Sequence, residues 1–294
     1  MDGFDDRLNV FFGEATPTQA RVYAQLPRGD WPLDAQLRGT LSGPTCRYAE
    51  TLPTHYRFRD RGVLKGGASQ ESLLIEAVVP DPCFWTPRLP YLYEVKLELR
   101  AGEEVLARMA RPFGIRPLGV RANSFVFAGK RWVFRGGWNS SGSNELQSWR
   151  DNEIVMVRDG FSATQCDEAS HVGVLMAIEA ELSEETVRAA SRHAAVGMLF
   201  FDGRKCAGTL PKTTNCILVQ NMMDDAQADL HEQTEAALVE ASAVKEFVAR
   251  RDGTIPVIAC RSSQSKVEPE DIRQQCDQLQ AELASIGDFA GYLV

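Results

Sequence analysis

The sequence predicts two regions of different class: an antiparallel β-sandwich over residues 1–120 and a parallel α/β region over residues 121–294. Three observations carry this. Period-two alternation bounded by Pro and Gly dominates the first part. Continuous short apolar runs alternate with helical patterns in the second. The change of rhythm between them is abrupt.

In the first region, Arg21-Val22-Tyr23-Ala24-Gln25-Leu26 alternates polar and apolar residues, and Ser72 to Val79 follows a Gly-Gly pair. Leu92 to Arg100 is the cleanest alternating run; it stops at Ala101-Gly102, and Val105 to Arg111 returns as its hairpin partner. No helix is predicted here. In the second region the apolar runs are Trp132–Phe134, Val174–Ile178, Gly197–Phe201, Cys216–Val219, Ile255–Ala259 and Phe289–Val294. Such runs suit strands buried on both faces. Between them, helices are expected at Ser183–Ala195, opened by Ser183-Glu184-Glu185, at Gln227–Arg251, and at Glu270–Ile286. Ile272, Cys276, Leu279 and Leu283 form the apolar stripe of the last.

Composition narrows the function. Of 294 residues, 44% are apolar and 24% charged, which suits a globular chain rather than a disordered one. The net charge of −8 gives no electrostatic reason to bind nucleic acid or an anionic membrane, so neither is an expected partner. No apolar run has the length of a membrane span, and MDGFDDRLNV has no apolar leader core. Seven cysteines stand singly with no C-x-x-C pair, which suits reduced thiols and a cytoplasmic location. Four scattered histidines offer no metal site, and Gly39-Thr40-Leu41-Ser42-Gly43 lacks phosphate-loop spacing, so no cofactor or metal is expected.

The junction carries three motifs in order: Trp85-Thr86-Pro87-Arg88-Leu89-Pro90-Tyr91-Leu92-Tyr93, then Phe113-Gly114-Ile115-Arg116, then Gly129-Lys130-Arg131-Trp132-Val133-Phe134-Arg135-Gly136. Together they resemble glycoside hydrolase family two. The resemblance implies an N-terminal immunoglobulin-like β-sandwich followed by a (β/α) TIM-like barrel. It puts Arg116 near the interdomain seam, Arg135-Gly136 on barrel strand one, Phe161 to Gln165 on strand two after a turn at Asp159-Gly160, and Cys166-Asp167-Glu168 before strand three. His193 leads into strand four, and Trp85 and Tyr93 read as core or interdomain anchors. About 170 residues follow the sandwich, against about 250 for a whole barrel. The barrel is therefore expected to be shortened, with six or seven strands, and the short gap between strands two and three leaves the second helix missing or reduced to a turn.

The same resemblance puts the acid/base Glu after strand four, where this chain has Gly203-Arg204, and a nucleophile Glu on a late strand, where it has Ala259-Cys260-Arg261. The Asn-Glu pairs Asn144-Glu145 and Asn152-Glu153 fall too early. Retaining hydrolysis needs two carboxyl groups about 5 Å apart, and a guanidinium cannot replace one. Substitute acids exist at strand ends: Glu179, Glu181 and Asp202, with Asp167 and Glu168 after strand two. Glu179 with Asp202 is the candidate catalytic pair; the competing role for each is helix capping or solvation. Trp138 and Asn139 could stack on and hydrogen-bond a sugar, and Asp167, Gln220-Asn221 and Arg261 are further ligand candidates, against a packing role for each. A thiol–imidazole pair of Cys206 or Cys260 with His193 has no support in the spacing. The leading expectation is a family-two-like protein without glycosidase activity that binds a carbohydrate or another polar ligand, or acts as a scaffold. The alternative is an active hydrolase with relocated carboxylates. A third is a homo-oligomer in which a second copy covers the edges of an open barrel.

Overall fold

The computed structural model describes residues 3–65, 71–139, 146–206, 215–251, 253–261 and 268–294. The chain divides into two compact units, Met1–Ile115 with Arg192–Ala194, and Arg116–Ser191 with Ala195–Val294.

The first unit opens with a single helical turn, α1 (Phe4–Arg7), followed by eight strands: β1 (Asn9–Ala15), β2 (Gln19–Pro27), β3 (Ala35–Thr45), β4 (Thr54–Arg57), β5 (Arg59–Lys65), β6 (Glu71–Pro80), β7 (Leu92–Ala101) and β8 (Glu104–Phe113). They form two four-stranded antiparallel sheets, β1-β2-β6-β5 and β4-β3-β7-β8. The alternation seen in the sequence decides which face is buried. Ala20, Val22, Ala24 and Leu26 of β2 pack into one core with Val95, Leu97 and Leu99 of β7, while Arg21, Tyr23 and Gln25 face out. On the outer face of the first sheet, Glu76 is 5% exposed. Arg21 reaches it at 2.7 Å and Arg61 at 3.1 Å. Burial works against its charge, but hydrogen bonds from Arg21 and Tyr23 and the charge of Arg61 outweigh it and hold the carboxyl below its ordinary range.

The second unit begins with a small antiparallel sheet, β9 (Leu118–Arg121), β10 (Ser124–Phe127) and β11 (Lys130–Trp132). Then come β12 (Phe134–Trp138), α2 (Leu146–Asp151), β13 (Val155–Asp159), α3 (Ala163–Val172), β14 (Met176–Glu179), α4 (Glu184–Ser191), β15 (Val196–Phe201), β16 (Ile217–Asn221), β17 (Ala236–Glu240), α5 (Val244–Arg250), β18 (Val257–Cys260), α6 (Pro269–Leu283) and β19 (Gly291–Leu293). Strands β12 to β19 are parallel and form a closed barrel, with β19 pairing back onto β12. Aromatic rings run from the small sheet into the barrel interior: Phe125 meets Trp132, Trp132 meets Phe134, and Phe134 meets Phe200 at 6.3 Å. The chain comes close around Phe134. A Cβ on Gly291 would stand 2.5 Å from the Cβ of Phe134.

The barrel corrects the expectation of a shortened, open one. Eight strands are present and the circle is closed, so a partner chain has no open barrel edge to cover. The unseen strand is β17, hidden in the helix expected at Gln227–Arg251. Leu238 and Val239 of the strand and Val244 and Phe247 of α5 sit at helix-like separations by coincidence, across a turn at residues 241–243. Strand two is Val155–Asp159 rather than Phe161–Gln165, and the second helix expected to be missing or reduced to a turn is α3, which contains Gln165, Cys166, Asp167 and Glu168. Strand one is Phe134–Trp138, and Trp132 belongs to β11. The capping role of Ser183 is present: its hydroxyl accepts from the Thr186 N–H at 3.1 Å. Asn152-Glu153 forms the turn after α2, and Asn144-Glu145 lies outside the described residues.

Two outcomes follow. Gly291→Ala should lower the unfolding midpoint in urea, at a cost of about 1–3 kcal/mol for overpacking, measured by fluorescence-monitored denaturation. The Glu76 carboxyl titrates lower folded than unfolded, so its contribution is present above the unfolded value of about 4.3 and is lost as pH falls through the lower folded value. Glu76→Gln should therefore flatten the fall in stability on acidification below about pH 5.

Candidate ligand site at the barrel mouth

Parallel pairing fixes which side chains share a face. Residues opposite one another in adjacent strands point the same way, and in a closed barrel alternate strands supply each interior layer. Phe134 and Phe200 touch inside, so Trp138 lies on the interior side of β12, as do Glu179 of β14, Asn221 of β16 and Cys260 of β18 by register. Arg135, one residue out of phase, donates to Asp277 at 2.8 Å and Gln280 at 2.9 Å on the helix α6 outside.

These four residues form the last interior layer before the strands' C-terminal ends. Asn221 donates from Nδ2 to Glu179 Oε1 at 2.7 Å, spanning two strands, and accepts from the Met223 N–H at 3.0 Å. The Asn221 amide thus orients the Glu179 carboxylate. The Trp138 indole bears on the Cys260 thiol and favours its charged form. Burial, and next the nearby Glu240 carboxylate, push the Cys260 thiol up to about 12. Glu240 is the register partner of Cys260 on the neighbouring strand, and the charge of Glu179 also bears on that thiol.

The other candidates stand elsewhere or are engaged. Asp202 follows β15, caps the short turn Gly203–Lys205 and takes two contacts from Arg204, at 3.0 and 3.1 Å. The Arg204 hydrogen bond holds its carboxyl below the ordinary range, unsuited to proton donation at neutral pH. The structure gives no contact between Glu179 and Asp202 among the described residues. Asn139 donates to the Met156 sulfur at 3.2 Å, and its backbone N–H continues the pairing with Val157. Gln220 is 3% exposed and out of phase with the interior layer. It ties down the loop between β16 and β17, donating to the Asp229 carbonyl and accepting from the His231 N–H and the Thr234 hydroxyl. Arg261 donates to Glu282 on α6. Asp167 lies on α3, exposed and away from the strand ends, and its carbonyl meets the His171 ring nitrogen at 2.8 Å. Arg116 is buried in the second unit, where it donates to the Asn215 carbonyl and bears on the Cys216 thiol.

Sequence reading names Asn221 beside Gln220 at a strand end, but it passes over Glu240 as a site residue. The available signal was strand phase: once Ala236–Glu240 is a strand, Glu240 shares the phase of Cys260, its direct register partner. Among the described residues no group of three or more His, Cys, Asp or Glu could hold a metal ion.

Residues 49–116 match the profile of Glycosyl hydrolases family 2. The chain is family 2-like. No curated protein sequence matches this chain. Solved structures do. A glycosyl hydrolase family 2 member from Bacteroides cellulosilyticus superposes with a TM-score of 0.66 at 14% identity, covering 98% of this chain and 43% of its own. A β-glucuronidase of Bacteroides uniformis gives 0.62 at 13% identity, over 97% and 45%. A β-glycosidase of Bacteroides vulgatus gives 0.59 at 10%, over 87% and 38%. The family 2-like chain thus spans less than half the length of these proteins, and at such identities the likeness is one of fold. No helix among the described residues is long and apolar enough to cross a membrane.

The buried thiols give a direct check on the layer. Burial pushes Cys166 and Cys260 up to about 12 and Cys216 and Cys276 up to about 11. Iodoacetamide at pH 8 should leave these four unlabelled in the native protein and label them in urea, read by peptide mass spectrometry. In Trp138→Ala, Cys260 should become the first of the four to react.

Proposed function

We propose that this family 2-like protein, an immunoglobulin-like sandwich with a TIM-like barrel, lacks glycosidase chemistry and uses the barrel mouth to bind a carbohydrate or a similar hydroxyl-rich ligand. The observation that carries the reading is the state of the strand ends where the family's chemistry would sit. After β15 the carboxylate Asp202 is locked to Arg204, and β18 ends in the buried Cys260. Neither supplies a proton donor or an attacking oxygen. What the mouth offers instead is the Trp138 indole in the same interior layer as a Glu179 carboxylate oriented by Asn221. A flat ring sharing a layer with a fixed hydrogen-bond acceptor suits a sugar's apolar face and hydroxyl rim. The seven unbridged cysteines support a reducing, cytoplasmic compartment.

A second reading has one observation behind it: Glu179 and Glu240 both stand in the interior phase at the ends of their strands. Chromogenic glycosides separate the two. On the proposed reading, wild type, Glu179→Gln, Glu240→Gln and Asp202→Asn release no chromophore, while a panel of glycosides quenches tryptophan fluorescence saturably. Trp138→Ala then weakens binding roughly threefold to tenfold, the worth of an aromatic contact of about 0.5–1.5 kcal/mol. Turnover by wild type that Glu179→Gln or Glu240→Gln abolishes would replace the proposal with the hydrolase.

A further inference from the structure

The outer face of the sheet β4-β3-β7-β8 carries charge opposite to that of the chain. Register places Arg57 beside Thr40 and Lys96, and Arg38 beside Glu98 and Arg108, with Arg100 opposite Gln36 in the next row. Five cations therefore share a face with two carboxylates, Glu94 and Glu98, in a chain whose net charge is −8. These carboxylates are already matched, Glu94 to Lys96 at 2.6 Å and Glu98 to Arg108 at 2.8 Å and Arg100 at 3.3 Å, and Glu103 on the hairpin turn reaches Arg100 at 4.0 Å. Arg38 and Arg57 are exposed, and among the described residues no carboxylate contacts either; Arg38 donates to the neutral Gln36 at 2.8 Å. Ser42 and His55, joined at 2.9 Å, extend the polar surface at its edge.

We propose that this face of the sandwich docks an acidic polysaccharide, one whose sugar units carry carboxylate or sulfate groups. Charge complementarity picks the sign of the partner, since the surplus sits on the two arginines without acidic contacts. The geometry suits a glycan chain. Neighbouring strands stand about 4.8 Å apart, roughly the length of one sugar unit, so a chain lying across the strands follows one row and meets Arg57 and then Lys96, or Arg38 and then Arg108, on alternate strands. No Phe, Tyr or Trp stands on these rows among the described residues, so the face lacks the stacking platform that a single-stranded nucleic acid uses. The surface belongs wholly to the first unit and uses no residue of the barrel mouth, so it stands or falls apart from the function proposed there.

Affinity electrophoresis of the full chain through gels containing polygalacturonate tests it, with neutral dextran and single-stranded DNA as parallel probes. Wild type should be retarded by polygalacturonate at low salt and not by dextran, with retardation fading as ionic strength rises. The Arg38→Gln/Arg57→Gln variant should bind roughly tenfold more weakly. The milder Arg57→Gln alone should fall between, and both should keep the wild-type circular dichroism spectrum and thermal midpoint. Unretarded wild type, equal retardation of folded wild type and double variant, or stronger and equally Arg38/Arg57-dependent retardation by DNA would each overturn the proposal.

Discussion

Closure of the parallel barrel is the constraint on which the second unit depends. Pairing of β12 with β19 leaves no unsatisfied strand edge, and it also removes freedom of register, since a slip in any one strand would have to be matched around the whole circle. Small residues make the circle tight where the aromatic interior needs room. Gly136 and Gly291 sit against the Phe134 ring, which meets Phe200 across the interior. That aromatic contact sets the phase of the interior layers, and the phase in turn brings Trp138, Glu179, Asn221 and Cys260 together.

The polar groups at the strand ends then sort into two kinds. Those in phase with the interior share a layer: Asn221 holds Glu179, and Trp138 bears on Cys260. Those out of phase are spent on the scaffold. Gln220 satisfies three groups of a long loop, and Arg261 and Arg135 tie the barrel to α6. A buried amide or a tethered guanidinium of this kind costs free energy when its partners are removed, so such residues stabilise the frame around the mouth. Asp202 is in phase but neutralised by the arginine two residues later. In a mouth with several acids, this local pair is what separates a binding site from a hydrolytic one in the reading favoured above.

Legibility varied with how local the signal was. The strands β2, β6, β7 and β8 were readable because one face meets a core and the other meets solvent, which writes period-two alternation directly into the chain. The barrel strands β14, β15 and β16 were readable as continuous apolar runs. β17 was not, because a four-residue buried run followed by a short amphipathic helix imitates one longer helix. β13 was missed for a different reason: the Ile154–Val157 run was passed over in favour of a motif match six residues later, so local hydrophobicity was the better guide there.

By itself the sequence determined the two-part architecture, the family likeness and the absence of a carboxylate at the end of β18, since each is a property of residue types in order along the chain. It also placed Trp138 and Glu179 at strand ends. Which strand ends face inward, that the circle closes at eight, that Asn221 rather than Asp202 partners Glu179, and that four cations of β3, β4, β7 and β8 gather with Arg100 on one face were decided only in three dimensions. The physical reason is that these are relations between strands tens of residues apart. Register and closure create them, and no window along the chain contains both partners.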